Sequence, residues 1–145
     1  MDVSIIADYG DKLYSFAMAC TFDHAGDMQF CVKEPQTIAG ITGTIKMDGG
    51  FLTFDDQAVA FPLLADEQLT PVTAPWIFMK TLRGGYIRYA GQEGENLRVY
   101  IDDSYEEDSL QLDILLDAGQ APLQAEIIWQ NRRILSLTIE NFTIV

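Results

Sequence analysis

Read as a pattern of apolar and polar positions, the chain falls into two long runs of alternation separated by one stretch of helical period. Period two begins almost at once, with Val3, Ile5 and Ala7 alternating against polar or lesser positions across residues 2–9. Gly10-Asp11 then makes a two-residue hairpin connection, and Tyr14, Phe16, Met18, Cys20 and Phe22 share one face of a second strand across residues 12–23. A turn around Asp23–Asp27 leads into Met28, Phe30 and Val32, again on one face. If Phe22 pairs with Met28, Cys20 lies opposite Phe30 and Cys31 points to the other face, so the two cysteines do not bond.

Pro35 ends that strand, and PQTIAGITG reads as a loop or one short helical turn before TGTIKMD resumes the alternation. Asp48-Gly49-Gly50 is a hairpin signal, FLTF a short strand, Asp55-Asp56 a second turn and QAVAFPLL a further strand, after which ADEQL delivers the chain to the helix.

The helical stretch is TPVTAPWIFMKTLRGG, Thr70 to Gly85. Thr70 with Pro71 behind it, or Thr73 one turn later, supplies the start, and Gly84-Gly85 the stop, with Lys80 and Arg83 complementing the dipole in the last turn. Val72, Trp76, Met79 and Leu82 recur as one apolar stripe, and Ile77 and Phe78 widen it, so the helix calls for apolar partners over most of its circumference.

Beyond it the alternation returns: YIRYA, a turn at Gly91–Glu95, NLRVYID, an acidic loop from Asp102 to Asp108, SLQLDILLD, a turn at Asp117–Gln120, PLQAEIIWQ, a turn at Asn131-Arg132, and RILSLTIENFTIV. That makes about ten strands, all with connections short enough to be antiparallel. A sheet of that size curls. The expected fold is therefore mainly β with one principal helix, a half-open antiparallel β-barrel wrapped around that helix. The alternative is a two-sheet sandwich with the helix at one end.

Length narrows this to a single domain spanning residues 1–145, large enough to bury a core without metals or disulfides. Nine basic against 22 acidic residues leave a net charge of −13, which repels nucleic acid and anionic membrane surfaces alike. No apolar run reaches the roughly 20 residues of a membrane span, and the N-terminal residues lack the basic and apolar regions of a secretory leader, which suits either a cytoplasmic protein or a chain from which that segment has been trimmed. The strand that begins directly behind Met1 suits a cut at a domain edge, with Met1 supplied for expression.

Candidate chemistry adds little. His24, the one histidine, sits in a turn between Asp23 and Asp27, where a solvated turn residue is expected rather than a metal ligand or a triad member. The five acids between Asp102 and Asp108 match no calcium-loop template and read as a solvated hairpin loop. Cys20 and Cys31 lack CxxC spacing and read as buried small hydrophobes. No enzyme, cofactor or metal is implied. The aromatics and methionines are more informative: Trp76, Phe78, Met79 and Leu82 on the helix and Phe16, Met18, Phe30 and Trp129 on strands either fill a closed core or line an apolar cavity between helix and sheet.

The segments ADYGDKLYSFAMACTFD, EPQTIAGITGTI, LTPVTAPWIFMKTLRGGYI and AEIIWQNRRILSLTIENFTI together resemble a group of lipid-anchored proteins of Gram-positive bacteria. That group is similar to the outer-membrane lipoprotein carriers and receptors of the LolA/LolB type. The resemblance implies an unclosed barrel holding a helix as lid or plug, with a cavity suited to acyl chains. It also implies export, with a lipidated cysteine upstream and an extracytoplasmic place at the cell membrane. Carriers of that type open on a helix, whereas residues 2–9 here read as strand. The expected function is an extracytoplasmic domain that binds a lipid, acyl chain or other apolar small molecule between sheet and helix. Such a domain meets the membrane only through its anchor and has no nucleic-acid partner, and the residues name no protein partner. The rivals are an envelope interaction module with a filled core and, remotely, a carboxylate-based hydrolase.

Overall fold

The computed structural model describes residues 1–46, 51–54, 61–62, 71–107 and 109–144. Among them are eleven strands in one antiparallel sheet: β1 (Asp2–Asp8), β2 (Leu13–Phe22), β3 (Met28–Glu34), β4 (Thr42–Ile45), β5 (Phe51–Phe54), β6 (Phe61–Pro62), β7 (Tyr86–Glu93), β8 (Asn96–Asp102), β9 (Gln111–Leu116), β10 (Pro122–Trp129) and β11 (Arg132–Glu140). One α-helix, α1 (Ala74–Gly84), follows β6. The spatial order is β6-β5-β4-β3-β2-β1-β11-β10-β9-β8-β7, so two meanders, β1–β6 and β7–β11, are fused along the pairing of the first strand with the last. The outer strands β6 and β7 do not pair with each other, which leaves the barrel half open. A single apolar cluster gathers residues from β1–β4, α1 and β8–β11, as expected of a sheet that curls around its helix.

Alternation decides which side chains reach that cluster. Val3, Ile5 and Ala7 of β1 and Leu135, Leu137 and Ile139 of β11 are buried, and their neighbours along each strand face outward. Tyr9 N–H donates to Lys12 O at 3.0 Å, closing the expected Gly10-Asp11 turn. Phe22 pairs with Met28 and Cys20 with Phe30, and both cysteines are free thiols, as the face assignment anticipates. The short helical turn after Pro35 is a 3-10 turn at Gln36–Ile38.

Several expectations need correction. β7 continues through Gly91 to Glu93, because Gly91 pairs with Arg98 in the ladder. Only Gly94-Glu95 turn, with Gly94 at φ +66°. The β10–β11 turn is at Gln130-Asn131, where both residues carry positive φ, and Arg132 already pairs with Trp129. Cys31 is half-buried, not buried. The α-helix proper starts at Ala74, behind a 3-10 turn at Pro71–Thr73, and Thr73 occupies the N-cap without a side-chain capping bond. The Asp48-Gly49-Gly50 and Asp55-Asp56 turns, the ADEQL loop, Thr70, Asp108 and most of QAVAFPLL lie outside the described residues.

Gly85 does end the helix, donating its N–H to Thr81 O at 2.8 Å, but in extended backbone (φ −82°, ψ 178°) rather than a left-handed one. What demands glycine there is proximity. A Cβ at this position would sit 2.5 Å from Ile101 Cγ2 and 2.6 Å from Thr81 O.

Candidate ligand-binding site

Successive helix residues are about 100° apart, so the burial of each side chain of α1 maps its faces. Ala74, Ile77, Phe78 and Thr81 cluster on one side and are all buried, with Phe78 and Ala74 fully excluded from solvent. The helix as a whole meets β8, β9, β10 and β11. The stripe picked out by spacing occupies the opposite side. There Val72, Met79 and Leu82 are half-buried, and Lys80 and Arg83 are exposed. Trp76 lies on that same side and is 8% exposed, with its indole Nε1 closed off from solvent and meeting no acceptor among the described residues. Lys80 Nζ stands 5.3 Å from the Trp76 ring centroid, a cation–π contact at the helix surface. The helix thus carries two apolar sides, one fully buried and one half-buried around Trp76.

Arg83 anchors the end of the helix across the fold, donating from Nη2 to His24 O at 2.9 Å. His24 is exposed in the β2–β3 turn. That turn is built by Asp23, whose Oδ1 accepts the Gly26 and Asp27 amides at 2.9 Å each, while Asp27 pairs with Lys46 at 2.7 Å. Asp23, His24 and Asp27 therefore serve the turn. Among the described residues no group of three metal-ligating side chains comes together.

The eight expected lining residues divide. Met18, Phe30, Trp76 and Phe78 belong to the central cluster, and Phe16, Met79, Leu82 and Trp129 are half-buried against it. A groove of about 540 Å³ lies elsewhere, across β2, β3 and β4. Thr21, Gln29 and Thr44 form one cross-strand row of its lining, and Ala19, Cys31 and Thr42 the next, on the face that alternation directs away from the core. Of the eight, Phe30 alone borders it.

The two thiols differ as their faces do. Burial pushes Cys20 up to about 12, which keeps it a neutral core thiol, and Cys31 Sγ contacts Val32 O at 3.8 Å on the other side. Pairing holds several carboxylates. Arg98 bridges Glu93 at 2.5 Å and Asp113 at 2.7 Å, Arg88 pairs with Asp102 at 2.9 Å, and Arg133 with Glu126 at 2.7 Å. The hydrogen bond from Arg98 holds the Glu93 carboxyl below its usual range.

Sequence reading missed a tyrosine patch formed by β7, β8 and the loop that follows β8. Tyr86 and Tyr105 stack at 3.9 Å, Tyr89 and Tyr100 at 5.4 Å, and all four side chains are exposed. Its one signal in the sequence is four tyrosines within twenty residues, Tyr86 to Tyr105, split by the hairpin turn and the acidic loop. Among the described residues no helix is long and apolar enough to cross a membrane.

No protein-family model and no curated protein matches the chain. Solved structures similar to the chain include the following two. One is an uncharacterized conserved protein from Thermus thermophilus, at 10% identity, TM-score 0.47, covering 95% of this chain and 74% of that one. The other is a LolA superfamily protein from Nitrosomonas europaea, at 14% identity, TM-score 0.45, covering 99% of this chain and 70% of that one.

Proposed function

We propose that this is a non-catalytic domain that binds an acyl chain or another apolar ligand along the half-buried side of α1. The observation that carries the reading is the second apolar face, where Val72, Met79 and Leu82 keep part of their surface outside the core. Each methylene covered there contributes about 0.8 kcal/mol, so a chain of moderate length offsets the cost of association without any polar contact. The arginine-paired carboxylates fit a structural use of charge better than hydrolysis. In keeping with the sequence resemblance, the domain works outside the cytoplasm, held at the cell membrane by a lipidated cysteine upstream of Met1.

Titration with a fluorescent long-chain fatty acid, displaced by palmitate, tests the reading. The wild-type chain binds the probe, and Met79→Asp/Leu82→Asp weakens it at least tenfold with an unchanged far-UV spectrum. Equal binding by both proteins would remove the helix face from the account.

The tyrosine patch favours a second reading, an envelope interaction module that docks a protein on the β7–β8 hairpin. Exposed, stacked tyrosines of this kind are enriched at interfaces. Tyr86→Ser/Tyr105→Ser would then abolish partner capture and leave acyl-probe binding intact.

A further inference from the structure

The two edges of the sheet are unlike. β6 is two residues long and ends in Pro62, whose nitrogen has no hydrogen to offer an added strand. β7 runs for eight residues without a proline, and among the described residues only β8 pairs with it, so its other edge offers its backbone groups to a further strand. None of its residues is buried. On one side, Ile87 and Ala90 stand opposite Ile101 and Val99, which belong to the core at 4% and 7% exposure, yet Ile87 itself is 69% exposed. The apolar inner surface of the sheet therefore continues past β8 onto β7 without cover. On the other side, Tyr86, Tyr89 and Tyr100 are exposed, and Tyr105 stacks on Tyr86.

Charge decides what fits this edge. Arg88 and Arg98 are both engaged, the first with Asp102 and the second with Glu93 and Asp113. Glu95 in the β7–β8 turn, and Asp103, Glu106 and Glu107 in the loop behind β8, form no ion pair among the described residues. A second copy of the chain would bring another −13 to this edge, whereas a basic segment brings the opposite sign. We propose that the free edge of β7 takes an added strand from a basic partner protein, an extended segment in which apolar residues alternate with lysine or arginine. Its apolar side chains continue the inner surface beside Ile87 and Ala90, and its cations lie over the tyrosine faces within reach of the loop carboxylates. The strand runs in register along Tyr89–Glu93 and meets Ile87 beyond the register shift between Ile87 and Tyr89. The inference rests on the reading of the tyrosine patch as a docking site for a protein, and adds the partner's backbone conformation and charge.

The test is amide hydrogen exchange by ¹H–¹⁵N NMR on the full chain with three short, acetylated and amidated peptides. One alternates lysine and valine, one alternates glutamate and valine, and the last is the lysine peptide N-methylated at every residue, which keeps its charge and offers no N–H. The lysine peptide slows exchange within Tyr86–Glu93 and binds about tenfold more tightly than either of the others, the worth of one or two backbone hydrogen bonds. Glu106→Gln/Glu107→Gln, in the exposed loop, weakens it about threefold. Equal binding by the N-methylated peptide overturns strand addition, and equal binding by the glutamate peptide overturns the basic partner. Sedimentation of the free chain as a dimer with protected β7 amides also overturns the proposal, because the edge then belongs to a second copy. If no peptide binds, the inference falls, while the docking reading stands or falls separately by partner capture in Tyr86→Ser/Tyr105→Ser.

Discussion

The two sides of α1 are both apolar, yet they meet different surroundings. Ala74, Ile77, Phe78 and Thr81 have lost nearly all contact with solvent. Val72, Met79 and Leu82 stop halfway, beside a tryptophan whose polar edge has no partner among the described residues. Stability needs only the first side, because a helix on a sheet is held by one apolar face. The second side keeps apolar surface at Val72, Met79 and Leu82 outside the core, and that surplus is the proposed binding surface.

The sharpest way to break this contrast is to cut each side in turn. Phe78→Ala on the buried side removes a fully buried ring and costs about 3–5 kcal/mol, read as a lower urea midpoint. A loss under about 1 kcal/mol would mean that this side is not packed in the core. Gly85→Ala tests how closely the helix end approaches β8. The added methyl meets Ile101 and the Thr81 carbonyl, and the expected loss is about 1–3 kcal/mol. A neutral result would show slack where the structure has contact.

The cysteines extend the comparison from the helix to the sheet. Cys20 faces the core, and its raised value near 12 exceeds the ordinary 9.0, so the unfolded chain ionises first. The contribution of the neutral thiol is complete below pH 9 and is lost as pH rises through 9 to 12, at about 1.4 kcal/mol per pH unit. Comparing wild type with Cys20→Ala from about pH 8 to 10.5 isolates this slope from tyrosine and lysine titration, and parallel curves would contradict it. The smallest effect belongs to the other side of the helix. Met79→Ser or Leu82→Ser, at half-buried positions, costs less than about 1 kcal/mol. A loss as large as that of Phe78→Ala would make the two faces equivalent and leave no surplus to bind with.

Much of this is legible in the sequence because strands announce their inner faces by alternation. Val3-Ile5-Ala7 and the Phe22–Met28 register follow from period two and short turns, and so does the separation of Cys20 from Cys31. The pairing of β1 with β11 does not, since no local pattern says which distant strand will lie alongside. The β7 boundary was hidden by Gly91, a turn residue by type that here fits into a ladder.

The helix is the most instructive case. Its extent is readable, but spacing alone selected Val72, Trp76, Met79 and Leu82 as the principal apolar stripe, whereas the fully buried side is that of Ala74, Phe78 and Thr81. When a helix is apolar nearly all round, hydrophobicity does not choose the face. The orphan donor of Trp76 is a matter of neighbours and has no trace in the sequence at all.

The central claim, that the half-buried side of α1 receives an acyl chain, is tested most directly at the methionine methyls. The chain has five methionines, among which Met18 and Met28 are buried in the core and Met79 lies half-buried on that side. In a ¹³C-methyl spectrum, saturating methyl palmitate shifts the Met79 signal and leaves Met18 and Met28 where they were. A silent Met79 under conditions where the lipid is bound would contradict the account.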